Sequence, residues 1–388
     1  MTGRGHEMET VCCHVCGADA LRPVPGYGEM LRITSDVRIW PVGGRLATCM
    51  ACGAVQKPGT AAWRAECHAI YASYVVYRQG TGSEQAVFAS SGAGEARSRW
   101  LLRRCIEELH LPATGRHLDF GCGDGSLLRN AAAFLPGWRR VGAELSESRR
   151  EEIEAIPGVE AFHSGDPDQL PRQFDLVTTV HVIEHFENPT KILRTLSRTL
   201  AGGGRLVVQV PNLRSNPFDL LIADHATHFT PTQLARVIRE AGLRLSLLSD
   251  TWIARELTAI GVTGAGTDDQ VQEDPEEVHR LATSHVDWLR RLAETAKEAG
   301  RKGPYGIFGT SIAATWVAMN APENLSFFVD EDLNRVGTHY LDRPVRHPAD
   351  LPAGCTVLMA HTPDFSATMG ARLAERAPEA IILQPPPL

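Results

Sequence analysis

The sequence predicts an α/β protein whose middle third is a doubly wound, mostly parallel sheet. A cysteine-bearing module precedes it and a second, smaller α/β domain follows. Three observations carry this reading. From Arg116 to Ala259, short apolar runs alternate with amphipathic stretches. Before them stand two Cys-x-x-Cys-Gly pairs, at Cys13/Cys16 and Cys49/Cys52. After them, from Tyr305, a second alternation begins. A chain of 388 residues is too long for one ordinary core. The expected division is 1–80, 81–265 and 266–388.

Taken in order, residues 12–60 are rich in Gly and Pro and read as short strands. Tyr71, Tyr74 and Tyr77 follow at a spacing of three, which would put all of them on one helical face. The polar stretch Gly80 to Ala96 leads into a helix over Arg97–Leu109. His117 to Phe120 reads as a strand, Ser126–Phe134 as a helix, Arg140–Glu144 as a strand and Glu147–Ala155 as a helix. Strands are expected at Val159–Phe162, Phe174–Val180 and Arg205–Val210, and helices at Pro189–Leu200 and Thr232–Ala241. Strands near Leu243–Leu248 and Trp252–Ala259 have no helix between them, so they should pair antiparallel. Residues 264–273 form a polar, acidic linker. Pro275 opens one long helix that Gly300 should end. The last unit has strands at Tyr305–Phe308, Leu325–Val329, Thr356–Ala360 and Ile381–Leu383, with a helix at Ile312–Met319.

Composition narrows the function. Hydrophobic residues make up 43% and charged residues 22%, as in soluble globular proteins. A formal charge of −7 without a basic run argues against duplex nucleic acid as a partner. No run approaches the roughly 20 apolar residues of a membrane helix, and Met1 to Thr10 lacks a hydrophobic signal core. A cytoplasmic protein is expected, as a monomer or homodimer. There its nine cysteines should stay reduced, so clustered ones read as metal ligands.

The sharpest motif is Asp119-Phe-Gly121-Cys-Gly123-Asp-Gly125, after a strand and before a helix. The glycines let the chain turn tightly and let backbone approach a ligand. The ligand should lie at the carboxyl ends of the strands. Asp119 would repel a pyrophosphate but attract an ammonium or a sulfonium. The spacing is Gly-x-Gly-x-Gly, not the nicotinamide fingerprint. Glu144 ends the next strand, where a carboxylate can accept both ribose hydroxyls. With Gly165-Asp166, Val182-Ile-Glu-His-Phe and Gly203-Gly-Arg-Leu, residues 116–262 resemble the class I methyltransferase family. That resemblance implies a Rossmann-like core with a seven-stranded sheet and S-adenosylmethionine as cofactor. It places Asp166 beside the adenine and His181 near the methionine end.

Cys13-x-x-Cys16-Gly and Cys49-x-x-Cys52-Gly suit four thiolates around a tetrahedral structural zinc. Spacing favours Cys13 over its neighbour Cys12. Four thiolates leave no open position, so the metal should not be catalytic.

The order of cysteine knuckles, methyltransferase core, long helix and second α/β unit resembles the sugar C-methyltransferases. These act on nucleotide-linked 4-keto-deoxysugars in antibiotic pathways. The resemblance spans nearly the whole chain and includes Tyr71-Ala-Ser-Tyr74-Val-Val-Tyr77, Phe328-Val-Asp330 and Leu341-Asp-Arg-Pro-Val. It implies that residues 1–80 form a zinc-binding substrate lid and that the last domain helps hold a nucleotide-sugar. Methylation of carbon needs a base to form an enolate. The expected segment is Asp224-His225-Ala-Thr-His228-Phe-Thr230, with His225 as base and Asp224 supporting it. His181 is a further catalytic candidate. Tyr71, Tyr74, Tyr77 and His228 are candidates for substrate binding. The family carries Tyr-His-Glu-His where this chain has Ile222-Ala-Asp224-His225. That departure favours a rival, O- or N-methylation of another small metabolite; a third reading is a non-catalytic methyltransferase-like binding subunit, against which the intact Asp119–Gly125 loop and Glu144 argue.

Overall fold

The computed structural model describes residues 11–75, 84, 86–88, 94–264 and 272–388. Its centre is a seven-stranded sheet in the order Val159–His163, Trp138–Ala143, Gly115–Phe120, Phe174–Val180, Leu200–Pro211, Glu256–Thr263, Leu243–Ser249. The first five strands run parallel. Glu256–Thr263 runs antiparallel to both its neighbours, as two strands without a helix between them must. Strand order reverses between the Gly115 and Phe174 strands, so a crevice opens at their carboxyl ends. The central strands have little exposure on either face: Leu118, Val177 and Leu206 on one face and Leu176 and Val207 on the other are all at 0%. Helices cover both sides, as near-continuous apolar strands require.

Helix α1 (Ala61–Tyr71) belongs to the cysteine-bearing segment, and α2 (Arg97–Leu109) leads into the core. Around the sheet lie α3 (Ser126–Phe134), α4 (Arg150–Glu154), α5 (Pro189–Ser197) and α6 (Pro231–Glu240). Thr60 caps α1 and Thr230 caps α6, each hydroxyl accepting a backbone N–H three residues on. The strand expected at Trp252 begins only at Glu256. The chain turns first, with Arg255 at φ 68°.

Helix α7 runs Pro275–Lys302, past the residue expected to stop it. Gly300 lies inside the helix because the backbone of Glu323 packs there: a Cβ would sit 2.5 Å from that carbonyl oxygen. The glycine serves close approach, not termination. Helix α8 (Ile312–Asn320) and helix α9 (Pro363–Arg376) pack on a six-stranded sheet. That sheet contains the four expected strands plus His339–Tyr340 and Arg343–Arg346.

The N-terminal segment makes a four-stranded sheet in the order Leu21–Pro23, Ala47–Cys49, Val55–Gln56, Thr227–His228. Its fourth strand comes from the core, not from the segment itself. Tyr71 and Tyr74 do not share a helical face. Helix α1 ends at Tyr71, and Tyr74 follows a turn. Tyr77 lies outside the described residues. Among the described residues, no helix is long and apolar enough to cross a membrane.

Candidate active site

A cavity of about 1200 Å³ opens at the carboxyl ends of the central strands. The core forms its floor, the N-terminal segment one wall and the start of α8 another. Asp119, Gly121, Gly123, Glu144, Asp166 and His181 all line it.

The glycine loop follows from the strand before it. Gly121 has φ 77°, and a Cβ there would meet Val182 Cγ2 at 2.2 Å. Only glycine tolerates both conditions. The N–H groups of Gly121 and Cys122 donate to the Ala143 carbonyl at 2.8 and 3.0 Å. The Glu144 carboxylate receives the N–H groups of Gly123 at 2.9 Å and Leu145 at 2.7 Å. Loop and acid are therefore one unit, and Glu144 keeps further lone pairs for hydroxyl donors. Asp166 caps a short turn by accepting from the Asp168 N–H at 3.0 Å.

Asp119 is 3% exposed and accepts from the Thr178 hydroxyl at 2.7 Å. Burial pushes its carboxyl up to about 7, and Glu144, Glu84 and Asp124 add to the rise against the Thr178 hydrogen bond. So many carboxylates at one wall favour a cationic ligand.

His181 has φ 54°, a strained backbone for a non-glycine residue. Nδ1 lies 3.3 Å from Glu184 and Nε2 3.2 Å from Glu256. Burial disfavours the charged ring, yet Glu256 and Glu184 hold it up at about 9. Both ring nitrogens face carboxylates, which favours the charged ring over one with a free nitrogen for a base.

His225 lines the cavity. Its expected partner was Asp224, and here the structure corrects the sequence. Asp224 is committed elsewhere: Ser35 donates to it from N–H at 2.9 Å and from Oγ at 2.5 Å. His185 Nδ1 lies 3.4 Å from its carboxylate and 3.1 Å from its carbonyl. The partner of His225 is Asp219, whose Oδ1 is 2.7 Å from Nδ1. Burial opposes ionisation of Asp219, but His228 and His225 outweigh it and hold the carboxyl well below its usual range.

His228 is not a substrate ligand. It is 0% exposed, and Asp219 Oδ2 at 2.5 Å and Lys57 Nζ at 2.9 Å occupy its two ring nitrogens. Burial and the neighbouring Lys57 push it down to about 4, so it is neutral. Tyr71 and Tyr74 do line the cavity, their rings 5.7 Å apart. The Tyr71 hydroxyl lies 2.9 Å from His185 Nδ1.

Three residues of this centre were missed by the sequence reading. Asp219 stands alone in the apolar run Pro217–Leu221. Lys57 is remote along the chain. His185 belongs to a quoted motif but has no chemistry legible from its spacing. An isolated acid within an apolar run was the one available signal.

The four cysteines converge as the spacing predicts. Cys13 and Cys52 Sγ are 3.7 Å apart, and Cys16 and Cys49 Sγ 3.6 Å. All four sulfurs lie within 4.8 Å of one another. A tetrahedral zinc with bonds of about 2.3 Å requires sulfurs about 3.8 Å apart. The donor set fits that ion.

Residues 95–248 match the methyltransferase-domain family. The core has the class I methyltransferase fold, with a seven-stranded mixed sheet. Among curated proteins, the chain is 28% identical over 150 residues to the ubiquinone biosynthesis O-methyltransferase of Aeromonas salmonicida, covering 33% of this chain and 62% of that one. It is 30% identical over 194 residues to an uncharacterized 37.1 kDa protein in transposon TN4556 of Streptomyces fradiae, covering 47% and 52%. In both, the chain spans less than two thirds of the relative. A solved S-adenosylmethionine-dependent methyltransferase from Clostridium acetobutylicum is 16% identical, with a TM-score of 0.37 over 43% of this chain and 91% of that one. The glycine loop, Glu144, Asp166, Asp219 and His225 all lie within the matched span.

Proposed function

We propose that this protein is an S-adenosylmethionine-dependent methyltransferase. Its acceptor is a nucleotide-linked keto-deoxysugar of natural-product biosynthesis, methylated on the carbon beside the ketone. The observation that carries the reading is His225. Asp219 fixes its Nδ1, which leaves Nε2 as the nitrogen available to the cavity.

His225 would take the proton alpha to the ketone, and the Asp219 carboxylate would stabilise the resulting imidazolium. The enolate carbon then attacks. S-adenosylmethionine, which the glycine loop and Glu144 would hold, would supply the electrophilic methyl and depart as the neutral thioether. Asp119 and the other acids of the loop wall attract the cationic methionine end. Alignment of carbon, methyl and sulfur at about 3–3.5 Å supplies much of the rate. Four cysteines would hold a structural zinc with no part in the chemistry.

The nucleotide part of the acceptor finds support across the cavity. Arg255 lines it, and no carboxylate among the described residues forms an ion pair with that guanidinium, which stacks 5.0 Å from the Phe365 ring centre. Arg335, Thr310 and Ser311 line the same side. Such a cationic rim beyond an acidic cofactor wall suits an acceptor with phosphate.

A second reading, O-methylation of another small metabolite, is favoured by one observation. Ile222 and Ala223 stand where sugar C-methyltransferases carry Tyr and His, and both are buried, at 6% and 0%. They offer the acceptor no polar group.

The deciding experiment uses a thymidine diphosphate-linked 4-keto-deoxysugar in deuterated water. The wild type should exchange the alpha hydrogen, and should give a carbon-methylated product once S-adenosylmethionine is added. His225→Ala should do neither. Methyl found on oxygen or nitrogen overturns the carbon reading. No binding of S-adenosylmethionine at all removes the enzyme reading.

A further inference from the structure

We infer that Asp219 is the positioning residue for His225, with its second oxygen locked by His228 and Lys57. The inference deepens the proposed function and rests on His225 being the base there. Asp219 sits on the short turn Pro217–Leu221, 1% exposed. Both of its oxygens are used: Oδ1 meets His225 Nδ1 at 2.7 Å, and Oδ2 meets His228 Nδ1 at 2.5 Å.

An ionised carboxylate only accepts hydrogen bonds, so each ring must carry its proton on Nδ1. His228 Nε2 is then bare. It accepts from Lys57 Nζ at 2.9 Å, and the same Nζ donates to the Leu220 carbonyl at 3.2 Å. Whether charged or neutral, an amine donates in that direction. Every hydrogen bond from Lys57 to Asp219 therefore has one polarity, and the carboxylate cannot rotate without breaking two of them. On a neutral ring this arrangement puts the proton on Nδ1 and leaves Nε2 of His225 as the bare nitrogen, beside the cavity.

Asp224 cannot substitute, because Ser35 and His185 hold it. Nor is the lock local. Lys57 directly follows the Val55–Gln56 strand, which pairs with Thr227–His228, so the register of those strands sets the distance from Lys57 to His228.

The test reads the proton directly. Histidine labelled with 15N, in the full chain loaded with zinc, reports which ring nitrogen bears hydrogen, with signals assigned by His225→Gln and His228→Gln. In the wild type, both rings should show protonated Nδ1 and bare Nε2. The opposite tautomer on His225 in the wild type overturns the inference without any variant of Asp219. Asp219→Asn keeps the shape but offers an amide N–H2 to one imidazole. His225 should then move its proton to Nε2, and kcat should fall about 10²–10⁴-fold with KM for S-adenosylmethionine within about twofold. An unchanged His225 tautomer in that variant also overturns the inference. If the tautomer moves while alpha exchange and turnover persist, the positioning stands and the base assignment falls.

Discussion

The indole N–H of Trp63 donates to the carbonyl of Ala223 over 2.9 Å. Helix α1 of the cysteine-bearing segment thereby grips the loop that carries His225. Ile33 accepts the N–H of Ala223 at 2.7 Å, and Lys57 donates its backbone N–H to the Ala226 carbonyl at 2.9 Å. With Ser35 donating to Asp224, the N-terminal segment holds the loop at Ala223, Asp224 and Ala226.

Trp63→Phe removes the indole donor and leaves the Ala223 carbonyl buried without it. A loss of about 1–3 kcal/mol in unfolding free energy is expected, measured by urea denaturation. The kcat for the acceptor should fall, while S-adenosylmethionine binding holds. An equal loss in both would show that the grip is not specific to the loop.

Metal removal should act by the same route. Metal analysis should find about one zinc per chain, lost on chelation or in Cys49→Ser. The strand Thr227–His228 pairs with Val55–Gln56, a few residues from Cys52, so the zinc-free protein should lose turnover before it loses cofactor binding. Full activity after complete zinc loss would remove this coupling.

Asp119 makes cofactor affinity depend on pH. Its folded value of about 7 lies above the ordinary 3.8. Stability from the protonated carboxyl is fully present below pH 3.8 and is lost as pH rises through 7. A cationic ligand favours the ionised form. Affinity should therefore rise up to tenfold per unit as pH climbs towards 7, then level off. Calorimetric titration from pH 5.5 to 8 checks this. Asp119→Asn should bind weakly and lack the Asp119-dependent part of the slope. A wild-type profile identical to that of the variant would sink the assignment.

Gly121→Ala combines a left-handed φ of 77° with a Cβ 2.2 Å from Val182 Cγ2. A cost of about 1–3 kcal/mol is expected, with weaker cofactor binding. Adding Val182→Ala should recover the steric part and leave the backbone part, giving a non-additive double-mutant cycle. Strict additivity would show that the two residues do not meet.

The core was legible because its signals are local. The alternation from His117 to Val210, and the glycine loop with Glu144, need only neighbours along the chain. The sequence also pointed at the loop around His225, but not at its partner. Asp224 looked right because it is adjacent, and Asp219 is hidden in an apolar run. A buried carboxylate has no local signature when its partners lie on other elements: Lys57 meets His228 at a separation of 171 residues. Gly300 misled for a similar reason. A glycine near a helix end reads as a stop, and only the packing of Glu323 shows why it is small.

The strand Thr227–His228 has a consequence for the order of assembly. It completes a sheet whose other members leave the ribosome some 170 residues earlier. Closing a loop of that size costs roughly 4–5 kcal/mol in chain entropy beyond the constant part. The edge at Val55–Gln56 must therefore wait, unpaired, until the core has been synthesised and folded. During synthesis that edge is a point where another nascent chain can pair instead. Occupied cysteines would keep it short and rigid in the meantime.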